Sequence, residues 1–210
     1  MGIEFERKVS EIFPKSKGGT LSAMQVSPKS FHFGTQNKGE TVFLLTRAAA
    51  ITNFGWIVAT ILLSIFPFIA GSIITGALLF FRIDITDIVT RPLFIPVTLF
   101  IYFILVGTYA FSAFTKWYFN IYIVTSERIL DYDYVPFGKY KISEASLKNI
   151  EDVTQRQIGV FPNIFNYGDI IIQTAGERTQ FHFDKTPNPS YLRDKITDLA
   201  DILKQGKSND

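Results

Sequence analysis

Few residues in this chain could perform chemistry, and those that could lie far apart. The two histidines are His32 and His182, and two isolated imidazoles do not form a zinc site, which needs three or four ligands. Cysteine is absent, which excludes a thiol nucleophile, disulfides and cysteine-bound metal. The sequence contains neither His-Glu-x-x-His nor Gly-x-Ser-x-Gly. We therefore expect no enzyme, no catalytic or metal-binding residue and no cofactor.

One segment imitates a nucleotide-binding motif. Residues 34–41 read Gly-Thr-Gln-Asn-Lys-Gly-Glu-Thr, with the glycine spacing of a P-loop. Glu40 stands where that motif needs the lysine that reaches the phosphates. A carboxylate there would repel a nucleotide, so we expect no phosphate site in this segment.

Basic side chains in the C-terminal part could instead bind anions. Clustered lysines and arginines favour phosphate and lipid headgroups. The alternative is that these are ordinary solvated charges, because acidic residues slightly outnumber basic ones between positions 116 and 210. We therefore favour a protein partner over an anionic lipid. The candidate headgroup face consists of Arg128, Lys139, Lys141, Lys148 and Arg156.

A second candidate site is an apolar loop. Such a loop either caps the core of the domain or reaches a membrane interface or a partner, and the sequence leaves both alternatives open. Its members are Val160, Phe161, Ile164, Phe165 and Tyr167.

These candidates must be positioned by two very different kinds of element. The first kind is apolar, because 34 residues from Ala48 to Phe81 and 24 residues from Pro92 to Thr115 carry no charge. A membrane-spanning helix needs about 20 apolar residues. A soluble domain of this size could not bury two helices that are apolar all round. The runs predict a transmembrane hairpin with helices at about 54–81 and 92–115.

The flanks of this hairpin predict its orientation. Trp56 and Trp117 fall at the same face of the membrane, where aromatic side chains anchor helices. Lysines and arginines are more frequent outside the hairpin than in its loop at 82–91. The positive-inside rule therefore places both termini in the cytoplasm. A small-xxx-small pair, Ser72 and Gly76, is compatible with helix association and a homo-oligomer.

The second kind of element is β structure that follows the hairpin. Alternation of apolar and polar residues after Lys116 predicts six strands in a domain at 116–205. Asn188 and Pro189 then begin a helix. Its apolar stripe consists of Leu192, Ile196, Leu199 and Leu203. We expect a small β-barrel capped by this helix, an α+β fold. Residues 206–210 are predicted to be a tail, and residues 1–47 a partly ordered cytoplasmic segment.

Three blocks of the predicted β domain resemble a known family. Residues 122–130 (Tyr-Ile-Val-Thr-Ser-Glu-Arg-Ile-Leu), 150–154 (Ile-Glu-Asp-Val-Thr) and 167–176 (Tyr-Gly-Asp-Ile-Ile-Ile-Gln-Thr-Ala-Gly) are similar to bacterial PH-like domains of the YdbS/YdbT type, a domain of unknown function. The lead-in with Glu40 and Val42 and the two-helix hairpin fit the same family, so that the resemblance covers residues 39–205.

The resemblance implies a PH-like barrel with a C-terminal helix, tethered to the bacterial cytoplasmic (inner) membrane. It implies no enzyme and no particular ligand. Relatives commonly carry an arginine in the loop at 159–167, and this sequence has none there. The predicted function is a non-enzymatic binding or scaffold module for cell-envelope protein partners at the cytoplasmic face. The alternatives are an anionic-lipid-headgroup module and, more remotely, a subunit of an oligomeric transporter or pore. We expect no nucleic-acid partner.

Overall fold

The computed structural model divides the chain into two compact units. It describes residues 21–28, 31, 33–81, 91–136, 138, 140–175 and 180–207. One unit is Asn53–Thr115, and the other consists of the chain on both sides of it. The first 20 residues, His32 and most of the loop at 82–91 lie outside the described residues.

The first unit is a pair of apolar helices. Helix α1 is Phe54–Phe81, as predicted, and helix α2 is Phe94–Phe119, which begins two residues later than predicted and ends four later. The Tyr102 hydroxyl donates to the Leu63 carbonyl at 2.7 Å. Large apolar side chains are exposed along both helices. By length and composition, each helix could span a membrane.

The second unit begins before the helices and resumes after them. A five-stranded sheet, sheet A, has the order β1-β2-β3-β4-β5 with every pair antiparallel. Strand β2 pairs with β3 through Thr46↔Tyr122 and Leu44↔Val124, although both apolar helices separate these strands in the sequence. Its strands are β1 (Met24–Val26), β2 (Val42–Thr46), β3 (Ile121–Thr125), β4 (Arg128–Asp133) and β5 (Lys141–Ser146).

The helical hairpin is therefore an insertion into the β domain. The predicted boundaries differ from this arrangement, because residues 1–47 were assigned to a separate segment and the domain to 116–205. The difference has a physical reason. Strand β2 reads Val-Phe-Leu-Leu-Thr and is covered on both faces, so it lacks the alternation that marks a strand with one exposed face.

Sheet B contains strands from one continuous part of the chain. Its order is β6-β7-β8, with β6 at Ile150–Arg156, β7 at Tyr167–Thr174 and β8 at Gln180–Pro187. Helix α3, Val160–Phe165, connects β6 to β7, and helix α4, Pro189–Lys207, follows β8.

The described strands form two sheets, and the predicted closed barrel is not found among them. A 3-10 helix at Leu147–Asn149 separates β5 from β6, and a register shift follows at Ile150. These irregularities interrupt the pairing that a closed barrel requires.

The main core lies between the two sheets and helix α4. Tyr122 of β3 stacks on Phe183 of β8 with ring centroids 4.4 Å apart. The predicted stripe of the C-terminal helix is confirmed, since Leu192, Ile196 and Leu199 are buried and Leu203 packs at the margin. Other members of this core are Leu44, Val124, Ile129, Ile170, Ile172 and Phe181.

Candidate functional site

Arg128, the first residue of the predicted headgroup face, is held by a buried carboxylate. Its Nε and Nη2 atoms donate to the two carboxylate oxygens of Glu40, each at 3.0 Å. Glu40 also accepts from the Thr125 hydroxyl at 2.7 Å and from the Asn37 N–H at 2.9 Å. Burial raises the pKa of Glu40, but these hydrogen bonds and the charge of Arg128 outweigh it and leave the pKa below its ordinary value.

This ion pair fastens the loop between β1 and β2 to sheet A. Arg128 also donates to the Thr35 carbonyl of that loop, and its guanidinium lies 5.9 Å from the centre of the Phe33 ring. Phe31 and Phe33 pack on the face of sheet A that points away from the main core, against Val42, Ile123 and Leu130. Arg128 therefore stabilises the fold, which leaves little of its charge for a headgroup.

The other described basic residues do not concentrate positive charge. Lys141 is the register partner of Asp133, and Arg156 is the register partner of Asp169. Lys148 lies in the 3-10 helix between β5 and β6, about 20 Å along a six-residue strand from Lys141. Lys139 lies outside the described residues.

The predicted apolar loop is an exposed helical turn. Four of the predicted loop members lie in this helix and are exposed, with Phe161 at 68% and Ile164 at 68%. Ile158, which precedes the helix, is 69% exposed, while Tyr167 is half-buried at the start of β7. Of the two alternatives, capping of the core is therefore not observed. We call the five exposed side chains the α3 knob; they are Ile158, Val160, Phe161, Ile164 and Phe165.

The α3 knob has a fixed internal geometry. The Gln157 side-chain amide donates to the Pro162 carbonyl at 2.7 Å, and the Asn163 amide donates to the Gly159 carbonyl at 2.7 Å. Asn166 ends the helix in the left-handed conformation, with φ 48°. The rings of Phe161 and Phe165 are nearly parallel, with centroids 6.5 Å apart.

A cleft that sequence reasoning missed runs between β6 and α4. It has a volume of about 350 Å³. Strand β6 is at the edge of sheet B among the described strands, so one side of its backbone is not engaged in that sheet. Arg193 and Lys204 are the basic residues of the lining. They are outnumbered by its carboxylates, which belong to Glu151, Asp152, Asp194, Asp198 and Asp201.

The two tryptophans expected at the membrane interface make defined polar contacts. The Trp56 indole donates to the Asn53 side chain at 2.9 Å, and the Trp117 indole donates to the Ala48 carbonyl at 2.8 Å. Arg47, which is buried, places its guanidinium 4.5 Å from the centre of the Tyr118 ring and 5.6 Å from that of Trp117. Burial lowers the pKa of Arg47.

Sequence reasoning did not assign Glu40 or Arg47 to these structural roles. A signal for Glu40 was present, because an isolated carboxylate lies two residues before an apolar strand and must find a cation if it is buried. Its partner Arg128 is 88 residues away, and no local pattern reveals such a pair.

Comparison with known proteins gives one family. A family model described as "Bacterial PH domain" matches residues 42–200. The match begins at β2, includes both apolar helices and ends within α4. Neither a curated protein nor a solved structure matches the chain.

Proposed function

The chain belongs to the bacterial PH domain family, and from this premise we propose that it is a membrane-tethered module that binds a partner protein. The helices α1 and α2 supply the tether. The distribution of Lys38, Arg47 and Lys116 at their flanks favours a cytoplasmic location for the β domain. In this proposal the partner is a protein of the bacterial cell envelope, and no reaction is catalysed.

The observation that carries the proposal is the cleft beside β6. An extended peptide can add to an exposed sheet edge through backbone hydrogen bonds, while neighbouring side chains supply specificity. Strand β6 offers such an edge, and helix α4 forms the opposite wall. Because carboxylates predominate in the lining, the complementary ligand is an extended segment rich in lysine and arginine.

The same charges argue against an anionic headgroup as the ligand. Phosphate would be repelled by the cleft, and Arg128 is already bound to Glu40. Lys141 and Arg156 each lie beside an acidic register partner. The basic residues therefore give an anion less uncompensated charge to bind than the carboxylates of the cleft give a cationic peptide.

Peptide selection on the intact protein tests this proposal. A phage library of random linear peptides would be selected against the full chain in phosphatidylcholine nanodiscs. We expect enrichment of lysine and arginine, binding that weakens with added salt, and slower hydrogen exchange along β6 in the complex. Selected peptides without basic residues, or without an effect on β6, would contradict the proposal.

Charge reversal supplies the matched comparison. The double variant Asp198→Lys/Asp201→Lys changes two exposed positions on α4 that line the cleft. We expect it to weaken binding of a selected peptide at least tenfold. Asp133→Lys reverses an exposed carboxylate on β4 outside the cleft and should leave binding unchanged. Equal affinities for both variants would show that the cleft is not the site.

Topology has its own test. A reporter fused after Asp210 should be active only in its cytoplasmic form. Activity of a reporter that needs an extracytoplasmic location would overturn the cytoplasmic assignment while leaving the peptide-binding result intact.

A further inference from the structure

We propose that the α3 knob inserts into the lipid bilayer and serves as a third membrane contact in addition to the two apolar helices. This role is separate from the cleft beside β6, and the two surfaces can be changed independently. The occupant to which the proposal commits is the interfacial region of the membrane that the chain itself spans.

The position of the knob within the β domain is the first argument. Tyr167, directly after the Asn166 cap of α3, pairs with Pro187 of β8. Two residues before Pro187, the Lys185 carbonyl accepts a hydrogen bond from the Ala49 N–H at 2.7 Å. Residue 49 lies within the first uncharged run and directly precedes the 3-10 helix Ala50–Asn53 that leads into α1. The end of sheet B that carries the knob therefore lies beside Ala49, five residues before α1 begins at Phe54.

A further contact fixes the knob to this end of the sheet. The Asn188 N–H donates to the Asn166 carbonyl at 2.9 Å, and the Asn166 and Asn188 side chains are also hydrogen-bonded. Because Asn188 directly follows β8, the C-terminal end of α3 is tied to the same strand that contacts Ala49. Strand β8 therefore holds the knob at this end of sheet B.

The chemistry of the segment is the second argument. From Gln157 to Gly168 the chain has no charged residue, so insertion would not require the transfer of a charge out of water. The large side chains are already exposed, and the backbone that carries them is held by local hydrogen bonds. Little conformational entropy is then lost on insertion.

The flanking charges indicate what kind of membrane the knob accepts. Arg156 and Asp169 border the uncharged segment and are register partners in β6 and β7. Their charges oppose one another, so the border gives no net attraction to anionic lipid. The structure therefore assigns the knob to apolar insertion that is nearly indifferent to headgroup charge and to salt.

Site-specific labelling tests this placement, and the absence of cysteine makes each label unique. An environment-sensitive nitrobenzoxadiazole fluorophore would be attached at Ile164→Cys in the full chain, reconstituted in phosphatidylcholine nanodiscs. We expect blue-shifted emission and at least twofold stronger quenching by brominated phosphatidylcholine than for a label at the exposed position Thr197→Cys on α4. Replacing part of the lipid by phosphatidylglycerol, or raising the salt, should change the quenching little.

A second variant keeps the result interpretable. Phe161→Asp changes an exposed side chain and should not unfold the domain, but it should reduce quenching at Ile164→Cys to the level of the Thr197→Cys control. A label at Ile164→Cys that stays as accessible to water as the control would overturn the proposal. So would a label that is shielded from water yet not quenched by brominated lipid, because a protein would then cover the knob. Peptide binding in the cleft should persist in Phe161→Asp, which separates the two proposals.

Discussion

Sheets A and B are built from the chain in opposite ways. Sheet B and helix α4 come from the continuous segment 150–207, with neighbouring strands joined in sequence order. Sheet A contains β1 and β2 from before the apolar helices and β3 to β5 from after them. Sheet A thus joins the two parts of the chain that the inserted hairpin separates, while sheet B carries the cleft and the α3 knob.

The difference shows how two apolar helices can be inserted between neighbouring strands of one sheet. In sheet A, residue 46 pairs with residue 122, so the chain enters and leaves the hairpin from adjacent strands of the same β ladder. A single residue, Asn120, separates the end of α2 from β3, which begins at Ile121.

The largest expected effect follows from dividing sheet A. A chain of residues 116–207 lacks β1, β2 and Glu40, and therefore loses the fully buried Leu44 and Leu45. We expect this fragment to aggregate or to lack a cooperative unfolding transition. A chain of residues 21–207 in which a short glycine-serine linker replaces 54–115 should remain soluble and unfold cooperatively, as measured by circular dichroism. Cooperative folding of the 116–207 fragment would show that sheet B and β3 to β5 suffice.

The second effect concerns the ion pair that fastens the loop to sheet A. Glu40→Ala leaves the Arg128 guanidinium without its buried partner, and breaking a buried pair is strongly destabilising. We expect a loss of about 3 kcal/mol in the free energy of unfolding, measured by denaturant titration of the linker-replaced chain.

The control for this effect uses the other acidic partner of Arg128. Glu144 also accepts a hydrogen bond from Arg128, at 2.7 Å, but its side chain is 53% exposed. Glu144→Ala should cost less than about 1 kcal/mol, as solvent-exposed pairs do. Equal losses for the two variants would contradict the assignment of Glu40 as the principal partner.

Local and long-range features of the fold differ in how far the sequence could predict them. Helices α1 and α4 were predictable because their signals are local, an uncharged run in one and the spacing of Leu192, Ile196 and Leu199 in the other. The pairing of β2 with β3 was not, since it joins residues separated by both helices. The apolar composition of the α3 knob was visible in the sequence, but its exposure was not. That exposure depends on α3 standing outside the core as a connection between β6 and β7.

The third effect is the pH dependence of sheet A. The folded-state pKa of Glu40 lies below its ordinary value of 4.5, which the side chain regains on unfolding. Its carboxylate therefore contributes stability that is fully present above about pH 4.5 and is lost as the pH falls through the folded-state pKa. The free-energy difference between the linker-replaced chain and its Glu40→Gln variant should be constant near neutral pH and shrink below pH 4.5. A difference that grew on acidification would require the opposite sign of the pKa shift.

The smallest effect separates a structural role of Trp117 from a role as a membrane anchor. Its indole donates to the Ala48 carbonyl, which joins the residues on the two sides of the hairpin. Trp117→Phe removes this hydrogen bond, and its loss should cost about 1 kcal/mol. The linker-replaced chain contains both residues but no hairpin, so a side chain that served only to contact lipid would be dispensable in it. A lower unfolding midpoint for Trp117→Phe in that chain would show that the hydrogen bond from Trp117 to Ala48 stabilises the β domain. An unchanged midpoint would leave Trp117 with a role as a membrane anchor alone.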